Sequence, residues 1–279
     1  MKVYLCAICN ITSGVCNEDC KFCSQSVRYK ADIERFRKKE MDKIIEEAKM
    51  AKANKAVGFC LVTAGKGITD DSLDFVSRAA YEVKKVAPEL SLIACNGTAE
   101  LWQLQELKKA GIENYNHNLE TSKEFYPQIC ESHSWDERFQ TCLNAKEAGL
   151  HLCSGGIFGL GESADDRISM LNSLKELNPM SMPINFYHPN PALPLPKVTV
   201  PKQEAFEIIK KVREMFPNTM LMIAGGREIT FGDEQYDVFK YGANALVVGD
   251  YLTTAGKNAN EDIAEILARG YEIAQDCHR

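Results

Sequence analysis

A (β/α)8 barrel of the TIM type, with parallel strands, is the fold class that this 279-residue sequence predicts. Three observations predict it. Apolar, β-prone runs alternate with amphipathic stretches along the whole chain, the pattern of a parallel sheet with crossover helices. The alternation repeats eight times, the number that closes such a sheet on itself. No linker or composition break interrupts it, so residues 1–279 read as a single barrel domain. A doubly wound open sheet is the alternative reading of the same alternation.

The elements follow in order. Residues 3–11 read as a strand, then a cysteine-bearing loop, then a helix over 41–54 with Ile44, Ile45, Ala48 and Ala51 on one face. A strand over 57–63 precedes a helix over 70–86 whose first turn is acidic, as the helix dipole favours. Strands over 90–95 and 112–118 alternate with helices over 99–110 and 135–148. Residues 150–158 lead into a helix over 164–177. A strand over 182–187 runs into the proline-rich, extended segment 188–200, and Pro201 suits the first turn of a helix to 216. Strands at 220–224 and 245–248, with helices near 234–241 and over 261–275, complete the count. In such a barrel the functional groups sit at the C-terminal strand ends. A loop directly after strand one therefore belongs to that mouth.

Composition narrows the partners. The net charge is −6 with no long basic run, which argues against nucleic acid. No run approaches eighteen apolar residues, so no membrane span is expected. The opening MKVYLCAICNIT has no small-residue cleavage site and reads as a strand, not a signal peptide. Eleven cysteines without an export signal point to the cytoplasm, where thiols ligate metals more readily than they pair.

Cys16, Cys20 and Cys23 lie in SGVCNEDCKFCSQS, spaced C-x3-C-x2-C, and no fourth cysteine follows nearby. Iron–sulfur clusters usually take four thiolates and structural zinc four ligands. Three thiolates can hold a cubane with one iron left open for a small molecule. Zinc with a distant fourth ligand such as His117, or redox thiols, remain alternatives.

Cys60, Cys95 and Cys153 fall in strands two, three and five. Each alone reads as a small buried hydrophobe; all three facing inward would offer three sulfur ligands. Arg227, after strand seven, could point into the same space, although a guanidinium ordinarily binds anions and is odd as a metal ligand. Asn118 and Glu120 alternate onto one face at the end of strand four, and an amide with a carboxylate suits ribose hydroxyls, with a solvated loop as the equal alternative. Asn185 ends strand six similarly. The glycines of Gly155-Gly-Ile-Phe-Gly-Leu-Gly161 do not match a dinucleotide fingerprint; they make a tight turn or let backbone approach a flat ligand. Gly225-Gly226 and Gly249-Asp250 occupy the usual phosphate position of a barrel lyase, a rival class. His133, His151, His188 and His278 show no ligand pairing, and Cys6 and Cys9 face opposite sides of their strand. Cys130, Cys142 and Cys277 read as incidental thiols.

The triplet, with Phe22 before its last cysteine, resembles the signature of the radical S-adenosylmethionine superfamily. Over nearly the whole chain, GFCLVTAG, LIACNG, YNHNLETS, LCSGGIFGLGE, PINF, AGGRE and YLTT resemble the family within it that inserts sulfur into dethiobiotin to make biotin. The resemblance implies a transferase that closes the ring between C6 and C9 with two S-adenosylmethionine molecules. It implies a 4Fe–4S cluster on Cys16, Cys20 and Cys23, and a sulfide-donating 2Fe–2S cluster on Cys60, Cys95, Cys153 and Arg227. It further implies S-adenosylmethionine contacts at Thr63, Asn118, Glu120, Arg138 and Ile157, and dethiobiotin contacts at Asn118, Asn185, Thr253 and Thr254. Implied partners are a flavodoxin- or ferredoxin-type reductant, the iron–sulfur assembly machinery and a second copy in a homodimer. Two departures stand out: Glu120 replaces a more usual aspartate, and the chain begins almost at strand one, where many relatives carry a helical extension that would affect the dimer contacts.

Overall fold

The computed structural model describes residues 1–277. In chain order the elements are β1 (Lys2–Asn10), α1 (Met41–Ala53), β2 (Gly58–Val62), α2 (Asp70–Val86), β3 (Ser91–Cys95), α3 (Leu101–Lys109) and β4 (Asn114–Asn116). They continue with α4 (Tyr126–Ile129), α5 (Trp135–Glu147), β5 (His151–Cys153), β6 (Gly156–Phe158), α6 (Ala164–Leu177) and β7 (Ser181–Phe186). The chain ends through α7 (Lys202–Met215), β8 (Met220–Ile223), α8 (Arg227–Phe231), β9 (Ala245–Val247), α9 (Ala259–Ala268) and β10 (Glu272–Ile273).

All strand pairings are parallel, in the order β1-β2-β3-β4-β5-β7-β8-β9, and β9 pairs back to β1. The sheet is therefore closed, and the open-sheet alternative is excluded. β5 and β6 are two pieces of one stave, both paired to β7. Gly155 lies at the break because a Cβ there would meet the Pro183 carbonyl at 1.9 Å. Gly156 faces Met170 Sδ in the same way, at 2.3 Å. These glycines thus serve strand and helix packing, the plainer of the two readings.

Alternation along each strand sorts side chains into two cores. Outward residues such as Val3, Leu5, Leu61, Leu92 and Leu221 pack with the helices in one large apolar layer. Inward ones split into a floor of Tyr4, Val57, Met220, Ala245 and Ala274, and a smaller group of Cys6, Cys60, Val62 and Ile93 above it. The interior above the floor is not filled by stacked branched side chains, as barrel interiors usually are. It holds a cavity of about 510 Å³ instead.

Two expected helices change. In place of a helix near 234–241, two 3-10 turns form at Gly232–Glu234 and Asp237–Phe239, preceded by the short α8. The last helix stops at Ala268 because Gly270 takes φ +78°, and the chain then turns back to pair β10 with β1.

Candidate cluster and substrate site at the barrel mouth

The loop after β1 is fixed by its own polar groups. Ser13 and Phe36 exchange backbone hydrogen bonds of 2.9 and 3.0 Å, and Gln25 Oε1 accepts from Ser13 Oγ at 3.3 Å. Cys16 N–H donates to Gln25 O at 3.2 Å, Val27 N–H to Cys16 O at 2.8 Å and Cys23 N–H to Cys20 O at 3.0 Å. The backbone thus holds the three cysteines in one short loop. Cys16 is buried and Cys20 and Cys23 half-buried, all as free thiols. Burial pushes the Cys23 thiol up to about 12, and Cys16 also up. A bound cation reverses that preference by stabilising thiolates.

Two further side chains stand against the triplet. Cys130 Sγ lies 3.7 Å from Cys20 Sγ and 3.3 Å from His133 Nδ1, while His133 Nε2 is 4.0 Å from Cys20 Sγ. His133 Nδ1 also meets Glu18 at 2.9 Å. The hydrogen bond from Cys20 draws Cys130 towards the thiolate form and pushes Cys20 up. Cys130 thus stands beside the triplet, and His133, not His117, is the histidine next to it. His117 is buried beside Tyr115, where burial keeps it neutral. Nothing in the local sequence of α4 announced this contact, because it joins positions 110 residues apart. His278 lies outside the described residues.

Deeper in the barrel, Cys60, Cys95 and Cys153 all line the cavity. The proximity of the Cys60 and Cys95 thiols to each other holds the first up and draws the second down. Burial holds Cys153 up at about 12. Asn116 Oδ1 and Ser181 Oγ, also on the wall, are buried with no partner. Three sulfur donors and unsatisfied polar atoms in one apolar chamber fit an inorganic cluster with a small polar substrate.

Arg227 does not join them. It starts α8, beyond the Gly225-Gly226 turn, and its guanidinium donates to both Asp262 oxygens at 2.9 and 3.0 Å, to Glu228 at 3.1 Å and to Tyr251 OH at 3.3 Å. It is 1% exposed and absent from the cavity wall. The expected fourth cluster ligand is thus committed elsewhere. Gly225 N–H donates to Asn185 Oδ1 at 2.9 Å, and a Cβ on Gly226 would strike the Phe186 carbonyl at 2.0 Å, so this turn packs against β7.

The remaining expected residues divide. Asn118, Glu120, Ile157, Asn185, Thr253 and Thr254 line the cavity; Thr63 and Arg138 do not. Thr63 sits behind it, accepting from Asn96 Nδ2 at 3.1 Å and donating its N–H to Cys95 O at 3.1 Å. Arg138 backs the wall, donating to Asn118 O at 2.7 Å and Glu120 Oε1 at 3.0 Å. The second Glu120 oxygen is buried without a partner, an acceptor held ready for a hydroxyl. Burial raises the Glu120 carboxyl, against the pull of Arg138. Asn185 spends both amide atoms, on Gly225 N–H and on Gly156 O at 3.2 Å. Thr253 Oγ1 is 2.7 Å from Ser24 Oγ, which ties the loop after β9 to the cysteine loop across the mouth.

Residues 10–174 match the Radical SAM superfamily, and residues 183–272 match the Biotin and Thiamin Synthesis associated domain. The chain belongs to the radical S-adenosylmethionine superfamily. It is 68% identical over 278 residues to the Biotin synthase of Aliarcobacter butzleri, covering 100% of this chain and 99% of that one. Against the Biotin synthase of Nitratiruptor sp. the identity is 63% over 278 residues, covering 100% of both. Within the superfamily, then, the chain belongs to the biotin synthase family. The crystal structure of methylornithine synthase shares the barrel, with a TM-score of 0.84 at 19% identity over 98% of this chain and 84% of that one.

Proposed function

We propose that the chain converts dethiobiotin to biotin, inserting sulfur between C6 and C9 at the expense of two S-adenosylmethionine molecules. The observation that carries the reading is the triplet loop standing at the mouth of a cavity whose wall carries three further thiols. Phe22 and Ser24 of the triplet loop line its mouth, and Cys60, Cys95 and Cys153 its depth. Cys16, Cys20 and Cys23 would hold a 4Fe–4S cluster, and Cys60, Cys95 and Cys153 three positions of an auxiliary 2Fe–2S cluster. When bound, the first would supply the electron for cleavage of the sulfonium and the second the sulfide.

The chain's own residues place the reactants. Glu120, with its free oxygen, accepts from the ribose hydroxyls, and Asn118 stands beside it. Arg138 fixes Glu120 and offers its remaining donor, near His133, to the methionine carboxylate. Ile157 covers the adenine. Asn118 also lies towards dethiobiotin, which Asn185, Thr253 and Thr254 contact from the β7 and β9 sides. Thr63 acts from behind, by holding Asn96. The apolar wall keeps water from a carbon radical that would otherwise attack any nearby C–H bond. A flavodoxin- or ferredoxin-type reductant, the iron–sulfur assembly machinery and the homodimer rest on the family resemblance, and the cytoplasmic setting on the eleven cysteines. Among the described residues no helix is long and apolar enough to cross a membrane.

A second reading has one observation in its favour. Cys20, Cys130 and His133 bring three ligand atoms within 4.8 Å of one another, a set that zinc would accept. Anaerobic reconstitution with iron and sulfide separates the two. A brown protein with cluster Mössbauer signals is expected; a colourless protein retaining zinc overturns the proposal. Cys153→Ala is then expected to cleave S-adenosylmethionine without yielding biotin, and normal biotin formation by that variant would remove Cys153 from its role.

A further inference from the structure

With Arg227 turned towards Asp262, the cavity holds three of the proposed ligands and lacks a fourth. β8 cannot supply an arginine: its inward residues are Met220 and Met222, while Leu221 and Ile223 pack outward. Cluster irons that lack a thiolate bind exchangeable ligands, so a stable auxiliary cluster calls for a fourth donor in the same chamber.

Cys6 is such a donor. It lies on β1, next to β2, and its strand partner is Gly58, two residues before Cys60. Because Gly58 has no side chain, the Cys6 thiol leans over it: a Cβ built there would sit 3.2 Å from Cys6 Sγ. Cys6 packs in one group with Cys60 and Ile93, with Cys95 and Met222 against it. It lies within electrostatic reach of both Cys60 and Cys153. Its thiol is 5% exposed, and its hydrogen bond is a long 3.8 Å contact to Ala7 O. Cys9, on the same strand but facing outward, packs behind the barrel away from this chamber. A lone buried cysteine is ordinarily a small hydrophobe; a fourth thiol in a chamber with three others departs from that rule. Met222 and Cys277 also line the cavity, but a thioether is a weak acceptor, and Cys277 Sγ is engaged with Val57 O at 3.2 Å on the barrel floor.

We propose that Cys6 is the fourth ligand of the auxiliary cluster, completing the set Cys6, Cys60, Cys95 and Cys153. The proposal rests on the reading that the last three hold that cluster. On ligation Cys6 gives up its thiol proton and binds iron as thiolate. The all-thiolate set is the ordinary one for iron–sulfur clusters and needs no guanidinium.

The test uses the full chain with Cys16, Cys20 and Cys23 replaced by alanine, so that the auxiliary cluster is the remaining source of iron signal. After anaerobic reconstitution, iron and sulfide per chain and the Mössbauer spectrum are read. Adding Cys6→Ala is expected to lower bound iron at least fivefold, while Met222→Leu and Cys277→Ala leave it unchanged. Undiminished iron with an unaltered spectrum in Cys6→Ala overturns the proposal, as does loss in Met222→Leu or Cys277→Ala instead. Cys153→Ala in the same background separates the two levels: if it too keeps its iron, the underlying cluster reading fails, not merely the place of Cys6. Should the alanine background fold poorly by circular dichroism, Cys6→Ser in the otherwise unaltered chain serves. It is expected to change the auxiliary Mössbauer component alone, and an unchanged component rejects the assignment.

Discussion

Glu120 is held in a left-handed backbone conformation, φ +69°, which costs a non-glycine residue about 1 kcal/mol. The distortion aims its carboxylate inward, one oxygen on Arg138 at 3.0 Å and the other without a partner. An oxygen left bare inside a protein is costly unless a ligand satisfies it. Glu120→Gln keeps the shape but removes the charge, leaving Arg138 without its counter-ion. We expect S-adenosylmethionine to bind at least tenfold more weakly, read by calorimetric titration. The pH course has a definite sign. Burial raises the Glu120 carboxyl, so protonation on acidification begins above the ordinary glutamate range and the ribose acceptor is lost there. Wild-type affinity should weaken as pH falls into that window, whereas Glu120→Gln should stay flat. At this scale the sequence was informative where a side chain's direction follows from strand alternation: Cys60, Cys95, Cys153, Asn118 and Glu120 all reach the cavity. It misled at Arg227, whose direction depends on the turn before it, and at Cys130 and His133, whose partners are distant in the chain.

The elements hold these residues still, and α5 shows how. Arg138 lies in its first turn, whose start is capped by Ser134 accepting from Glu137 N–H at 3.2 Å while Glu137 accepts from Ser134 N–H at 2.7 Å. Ser134→Ala should cost about 1 kcal/mol of stability by loss of the cap, seen as a lower denaturant midpoint. Lys66, 2.8 Å from Glu137, holds that carboxyl down at about 2. A depressed carboxyl stabilises the fold above its unfolded pKa, about 4.3, and that stabilisation fades as pH falls towards 2. Because the Glu137 side chain is 44% exposed, its worth is discounted for screening to about 1 kcal/mol or less. Glu137→Gln should therefore lower stability at pH 7 and leave it unchanged near pH 2. The helix over 135–148 was legible as a helix though its cap was not, and the strands were legible from their alternation. The split stave β5–β6 and the early end of α9 were not, since the first follows from what Gly155 meets across the sheet and the second from the left-handed backbone at Gly270.

Across the whole molecule, closure depends on the last quarter of the chain folding back. β9 pairs with β1 to shut the barrel, β10 adds a further strand beside β1, and α9 is held to α8 by Arg227 and Asp262. That ion pair is buried on both sides, at 1% and 0% side-chain exposure, and Tyr236 OH donates to Asp262 at 2.7 Å. Removing one partner strands the other charge in an apolar setting, at a cost of about 3–5 kcal/mol. Arg227→Met should thus lower the melting temperature by about 10 °C, on a scale of roughly 2–4 °C per kcal/mol for a chain of this size. Arg227→Met with Asp262→Leu should recover much of the loss, because no charge is left uncompensated. The variants also separate scaffold from chemistry. If Arg227 staples the barrel's return, folded Arg227→Met protein at low temperature will carry the same iron and sulfide per chain as the parent. If instead it ligates the auxiliary cluster, iron will fall even where circular dichroism shows the fold intact, and the double variant will not restore it.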